Sequence, residues 1–200
     1  MKGIIPALAL AAALAVPAAA DAATVRYEGP PDGEVLVIVG EPGETSNMSV
    51  QDHVVDGAVT LYDAGVEFKL ETPYCRANTS SVVCPAPNGM RIELGDGDDR
   101  ATVLSDVREP VRFVGGPGND WLEGNDNADV LEGGAGDDRL HAYGGADTVD
   151  GGEGNDRLEG DAGDDRLQGG PGEDVLRPDG YETQGRDMVD GGPGVDEITS

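Results

Sequence analysis

The sequence predicts an all-β protein whose C-terminal half is a parallel β-roll solenoid, and three observations predict it. A nine-residue pattern, Gly-Gly-x-Gly-x-Asp-x-U-x with U large and apolar, recurs without a break from Gly115 to Arg177. The glycine-rich first six places suit a sharp turn through positive φ, and the last three suit a short strand that sends one apolar side chain inward. After residue 20, no segment carries helical periodicity.

The elements follow in chain order. Lys2, the apolar run Gly3 to Val16 and then Ala18-Ala19-Ala20 read as a Sec-type signal peptide, residues 1–20, cleaved after Ala20 or alternatively after Ala22. That run is too short to span a bilayer. Residues 21–93 read as a small all-β cap region that leads into the roll and covers its first coil, because a solenoid end needs covering. Within it, Thr24 to Glu28 alternates, Pro30-Pro31-Asp32-Gly33 breaks the chain, and Val35 to Val39 is an apolar strand. Asp56-Gly57 is a hairpin signal between Val54-Val55 and Val59 to Tyr62. Val66, Phe68 and Leu70 alternate with charged residues, as do Met90, Ile92 and Leu94. The pair Cys75 and Cys84 favours a disulfide closing a hairpin-like loop in an exported chain, with two free thiols as the alternative.

The roll is expected over residues 94–200. Leu94 to Thr102 is a first unit with Ala101 weak at the core place, and Asp106 to Val114 a degenerate one in which Phe113 faces the core but Val111 stands where Asp belongs. Seven regular units then begin at Gly115, Gly124, Gly133, Ala142, Gly151, Gly160 and Gly169. Four residues, Pro178 to Tyr181, interrupt the frame before Glu182 to Asp190 and Gly191 to Thr199. The expected core residues are Leu122, Leu131, Leu140, Val149, Leu158, Leu167, Leu176, Val189 and Ile198.

Stacking such units brings position-six aspartates to within about 4.8 Å of one another, where two carboxylates repel by about 3.5 kcal/mol at an effective dielectric near 20. Leu94 to Thr199 holds 28 acidic residues against 8 arginines, so the repulsion is general. A hard cation reverses it, since carboxylates and turn carbonyls from successive coils offer the all-oxygen ligand set that Ca²⁺ takes.

These units resemble the repeats-in-toxin (RTX), or haemolysin-type, calcium-binding family. The resemblance implies a right-handed parallel β-roll that binds several Ca²⁺ ions between turns on the same side. Carried over unit by unit, it implies as metal ligands Asp99, Asp120, Asp129, Asp138, Asp147, Asp156, Asp165, Asp174, Asp187 and Asp196, together with turn carbonyls. Successive turns fall on alternate sides. The turns of units one, three, five, seven and nine keep the consensus, whereas the other side has lost glycines at positions one or two and carries Tyr143, which predicts tighter sites on the first side.

Catalytic constellations are missing. With only His53 and His141 there is no H-E-x-x-H, and there is no G-x-S-x-G. Paired acids such as Asp137-Asp138 are explained by position six. His141 and Trp121 are expected to face outward from the roll. The net charge of −27 argues against nucleic acid and anionic membranes as partners, and no apolar segment after the signal suits membrane insertion. The expectation is a secreted, extracellular, non-enzymatic calcium-binding roll with a structural or surface-associated role. It includes cell-surface contact or self-association through the C-terminal coil. The alternative is an accessory repeat domain of a larger secreted enzyme or adhesin whose functional part lies beyond Ser200.

Overall fold

A computed structural model describes residues 22–28, 35–40, 45, 47–53, 58–63, 67–70, 75–77, 81–85, 88–104, 107–180 and 185–199. The expected signal segment, the Pro30 to Gly33 break and the Asp56-Gly57 turn lie outside them. All regular structure among these residues is β. The N-terminal strands are β1 (Ala22–Glu28), β2 (Val35–Val39), β3 (Asn47–His53), β4 (Ala58–Asp63), β5 (Glu67–Leu70), β6 (Arg76–Ala77) and β7 (Ser81–Pro85). The roll contains β8 (Met90–Glu93), β9 (Arg100–Val103), β10 (Val111–Pro117), β11 (Trp121–Glu123), β12 (Val130–Ala135) and β13 (Arg139–His141). It continues with β14 (Thr148–Glu153), β15 (Arg157–Asp161), β16 (Arg166–Gln168), β17 (Val175–Asp179), β18 (Met188–Asp190) and β19 (Glu197–Ile198).

The chain alternates between two sheets, so that each coil contributes one strand to each. In one sheet the order is β18-β16-β14-β12-β10-β8-β2-β1-β5, and in the other β19-β17-β15-β13-β11-β9-β3-β4-β7-β6. Every neighbour pair from β8 and β9 onward is parallel. The nine-residue period fixes the register: Leu122, Leu140, Leu158 and Leu176 stack in one sheet, and Phe113, Leu131, Val149 and Leu167 in the other. All eight are buried, each stabilising by roughly 1.5–3 kcal/mol. Ala101 is buried too, so Leu94 to Thr102 is a genuine coil with a thin core.

The N-terminal strands join the same two rows. β2 lies parallel to β8 with Ile38 opposite Ile92, and β3 lies parallel to β9 with Met48 opposite Ala101. Ile38 and Met48 are buried, so the larger Met lies over the gap that Ala101 leaves. Beyond them β1 on β2 and β4 on β3 and β7 are antiparallel, while β5 lies parallel to β1 at the sheet edge. Cys75 and Cys84 form a disulfide beside the β6–β7 pairing, where Arg76 faces Val83.

Two expectations need correction. Ile198 is 55% exposed rather than core, because β19 is an edge strand covered on one side only. The insertion also sits elsewhere than expected. Arg177 and Asp179 pair in step with Glu159 and Asp161, and Gly180 N–H reaches the Asp161 carbonyl. Pro178, Asp179 and Gly180 therefore fill turn positions one to three, and the four extra residues are 181–184, before Gly185.

Candidate metal centre

The turns joining the sheets form two faces. The major face carries the turns ending in Asp99, Asp120, Asp138, Asp156, Asp174 and Asp196; the minor face carries those ending in Val111, Asp129, Asp147, Asp165 and Asp187. Each position-six side chain clasps the turn before it. On the major face, Oδ1 of Asp120, Asp138, Asp156 and Asp174 accepts the backbone N–H of Asp99, Asp120, Asp138 and Asp156 at 2.7–2.8 Å, and Asp196 accepts from Asp174 at 3.1 Å. On the minor face, Asp129, Asp147, Asp165 and Asp187 accept from Val111, Asp129, Asp147 and Asp165 in the same way. The structure thus brings all ten sequence-chosen aspartates into two ladders and gives nine of them, Asp120 onward, this second role.

The other carboxylate oxygen explains why a cation fits. Oδ2 of Asp120, Asp138, Asp147, Asp156, Asp165 and Asp174 is buried without a hydrogen-bond partner, an arrangement that costs roughly 1–3 kcal/mol per atom, and more when charged. Each of these side chains is at most 3% exposed. Glycine at position one makes the space for this oxygen: a Cβ on Gly115, Gly133, Gly151 or Gly169 would collide with Oδ2 of its own turn's aspartate and with the position-one carbonyl of the next turn. Carbonyls at positions two and four, such as Gly116 O and Gly118 O, aim at Gly134 and Gly136 of the next turn, both at positive φ. The gaps beside these six aspartates are therefore lined by acceptors, with no donor for Oδ2. Among the described residues no three His, Cys, Asp or Glu side chains converge, so carbonyls would have to complete any coordination shell, as suits hard oxygen-liganded ions.

The electrostatics agree. Burial first, and then the neighbouring carboxylates, push Asp120 and Asp156 up to about 6, Asp138 to about 7 and Asp147 to about 8. Burial alone raises Asp129 to about 6 against two backbone N–H groups that lower it, and Asp165 and Asp174 are raised as well, chiefly by burial. A cation entering these gaps would compete with protons for the same carboxylates.

The sequence missed a second ladder. On the major face, position five reads Asp98, Asn119, Asp137, Asn155 and Glu173, and each side chain up to Asn155 accepts the position-five N–H of the following turn at 2.8–3.0 Å. Alternating Asp with Asn keeps like charges apart along this edge. The signal was present as the alternation of GND and GDD endings. His141, expected as a plain surface side chain, stacks on Tyr143 with ring centroids 3.8 Å apart, and its Nε2 lies 2.7 Å from Asp161 Oδ2. Trp121 lies on the outer face as expected, between the guanidinium groups of Arg100 and Arg139.

Residues 114–149 and 150–180 match the family described as RTX calcium-binding nonapeptide repeat (4 copies). The coils of residues 114–180 are RTX repeats by this match. Compared with curated proteins and with solved structures, the chain has no match. The matched residues span seven turns of the two faces, and the same clasps carry the RTX pattern outward to Asp99, Asp187 and Asp196. RTX repeats bind calcium, and the donors in these gaps fit that ion.

Proposed function

We propose that the protein is a secreted, non-enzymatic module whose RTX roll folds when calcium binds, serving a structural or surface-associated role outside the cell. The observation that carries this reading is the row of buried, partnerless Oδ2 atoms, repeated in turn after turn. The ligands would be these aspartates, Asp120, Asp138, Asp147, Asp156, Asp165 and Asp174, with Asp99, Asp129, Asp187 and Asp196 at the weaker or terminal gaps, each joined by carbonyls of positions two and four. Bound calcium supplies positive charge among inward-facing oxygens, so its binding energy becomes folding energy. Residues 21–93 act as the cap, since β2 and β3 lie on the first strands of the roll. Secretion is supported by the N-terminal Sec-type pattern and by the RTX family's habit of export. A non-enzymatic role is supported by the use of the paired acids in the ladders.

Circular dichroism and calorimetry at neutral pH test the reading. Millimolar calcium is expected to raise the β signal several-fold over chelator, with affinities of roughly 10⁻⁴–10⁻³ M, as in extracellular modules. Asp138→Asn keeps the Oδ1 clasp but places an amide where Oδ2 was, so it should retain the fold and lose calcium. An unchanged β signal in chelator, together with unchanged calcium uptake by Asp138→Asn, would sink the proposal.

A further inference from the structure

One gap between turns does not fit a cation. It is the first on the minor face, between the turn of Val107 to Val111 and the turn of Gly124 to Asp129. Position six of the earlier turn is Val111, which supplies an N–H to Asp129 Oδ1 but no carboxylate. Oδ2 of Asp129, unlike that of Asp120, Asp138, Asp147, Asp156, Asp165 and Asp174, has a partner and accepts the Asn125 N–H at 2.8 Å. The carbonyls of Val107 and Glu109 stand at positions two and four, the places that face the neighbouring turn in the other gaps. Here Asn127 Nδ2 donates to Val107 O at 3.2 Å and Asn125 Nδ2 donates to Glu109 O at 3.3 Å. Asn125 Oδ1 accepts the Asn127 N–H at 2.8 Å, which fixes the orientation of its amide. Asn125 is 1% exposed. Asp129 Oδ2 and the carbonyls of Val107 and Glu109 are therefore each met by a neutral donor.

We infer that this gap takes no calcium and that Asn125 and Asn127 hold it shut as an amide staple, keeping the coils of residues 107–131 assembled when calcium is absent. The inference rests on the calcium-dependent folding proposed above for the later coils, to which the stapled segment presents a formed edge. The sequence places the staple where it is most useful. On one side Val107, Val111 and Phe113 are buried in the core, with β10 beside β8, the strand that lies next to β2; on the other, Asp129 N–H begins the regular minor-face ladder by donating to Asp147 Oδ1. Parallel coils bring residues distant in sequence together at an entropic cost, and a ready edge removes the first and most expensive step.

Amide hydrogen exchange of the full chain, followed by mass spectrometry of peptides in chelator and in millimolar calcium, tests the inference. Peptides from 107–131 should remain protected in chelator, while peptides from 151–177 lose protection by orders of magnitude and regain it with calcium. Replacing both amides, Asn125→Gly with Asn127→Gly, removes both inter-turn hydrogen bonds and should cut the chelator-state protection of 107–131 by about tenfold or more. The inference is overturned if wild-type 107–131 exchanges in chelator as fast as 151–177, or if the double variant keeps its protection. Calcium-insensitive exchange across 151–177 would instead overturn the functional proposal and leave the staple standing, so the two failures are distinguishable.

Discussion

The two faces of the roll share one core, one period and one position-six ladder, yet they present different oxygens to the gaps between turns. On the minor face the position-two carbonyls of Asn125, Tyr143 and Asp161 accept position-three N–H groups from Gly144, Ala162 and Gly180 at 2.7–3.4 Å. On the major face, position three of three turns is Pro117, Pro171 or Pro193. A proline has no N–H, so the carbonyls of Gly95, Gly152 and Gly170 lose that donor and stay available to a ligand. The minor face also holds Tyr143 and Asp161 at φ 74° and 68°, where a side chain costs roughly 1–2 kcal/mol. Site quality in such a roll is therefore set by which carbonyls the backbone has already spent, as well as by the aspartates.

The largest expected difference between the faces comes from removing one aspartate from each. Asp156→Ala and Asp147→Ala both leave a buried N–H without its acceptor, of Asp138 in one case and Asp129 in the other, so that cost of about 1–3 kcal/mol cancels between them. What remains is the metal term. Asp156 borders two gaps rich in open acceptors, and its loss should lower calcium affinity by about tenfold more than the loss of Asp147, a difference near 1.4 kcal/mol. Paired calcium titrations decide it; equal losses, or the greater loss from Asp147→Ala, would show that the faces are equivalent.

Acidity should act on both faces. The buried carboxyls titrate near 6 for Asp120 and Asp156, 7 for Asp138 and 8 for Asp147, above the ordinary 3.8. A folded pKa above the unfolded one means that the folded state binds protons more tightly. Its contribution is complete below about pH 4 and is lost as pH rises through 6 to 8. In chelator the roll should therefore gain structure as pH falls from 8 to 5, and with calcium present acid should weaken binding over the same range. Dichroism against pH in the two conditions tests this, and a chelator-state signal that falls on acidification from 8 to 5 would contradict it.

How much of this was legible in the sequence differs element by element. A nine-residue period with one large apolar residue per unit is a local pattern, so the core rows from Leu122 to Leu176 and the positions of all ten aspartates could be read directly. A cap over the first coil was expected, but the pairing of β2 with β8 and β3 with β9 could not be read, because Val35 to Val39 says strand without saying which strand lies beside it. Nor could the staple: Asn125 and Asn127 look like lost glycines until the degenerate turn of Val107 to Val111 stands opposite them. The extra residues 181–184 were misplaced because the frame was matched on Gly185 and Asp187, whereas strand β17 keeps its own register through Asp179.

The smallest and sharpest test of the comparison is Pro171→Ala. Alanine restores an N–H at position three, within reach of the Gly152 carbonyl, as Ala162 reaches the Tyr143 carbonyl on the minor face at 2.7 Å. In chelator the change should be nearly neutral, since a new hydrogen bond adds about 1 kcal/mol while loss of the proline relaxes the unfolded chain by about 0.4–1 kcal/mol. With calcium the same hydrogen bond competes with the metal for one oxygen, so the gap between Asp156 and Asp174 should lose a few-fold in affinity while the others keep theirs. The matching change on the minor face, Ala162→Pro, withdraws the donor from Tyr143 O and should move its gap the other way. A Pro171→Ala protein that binds calcium as tightly as the parent would show that the position-two carbonyls are not what separates the two faces.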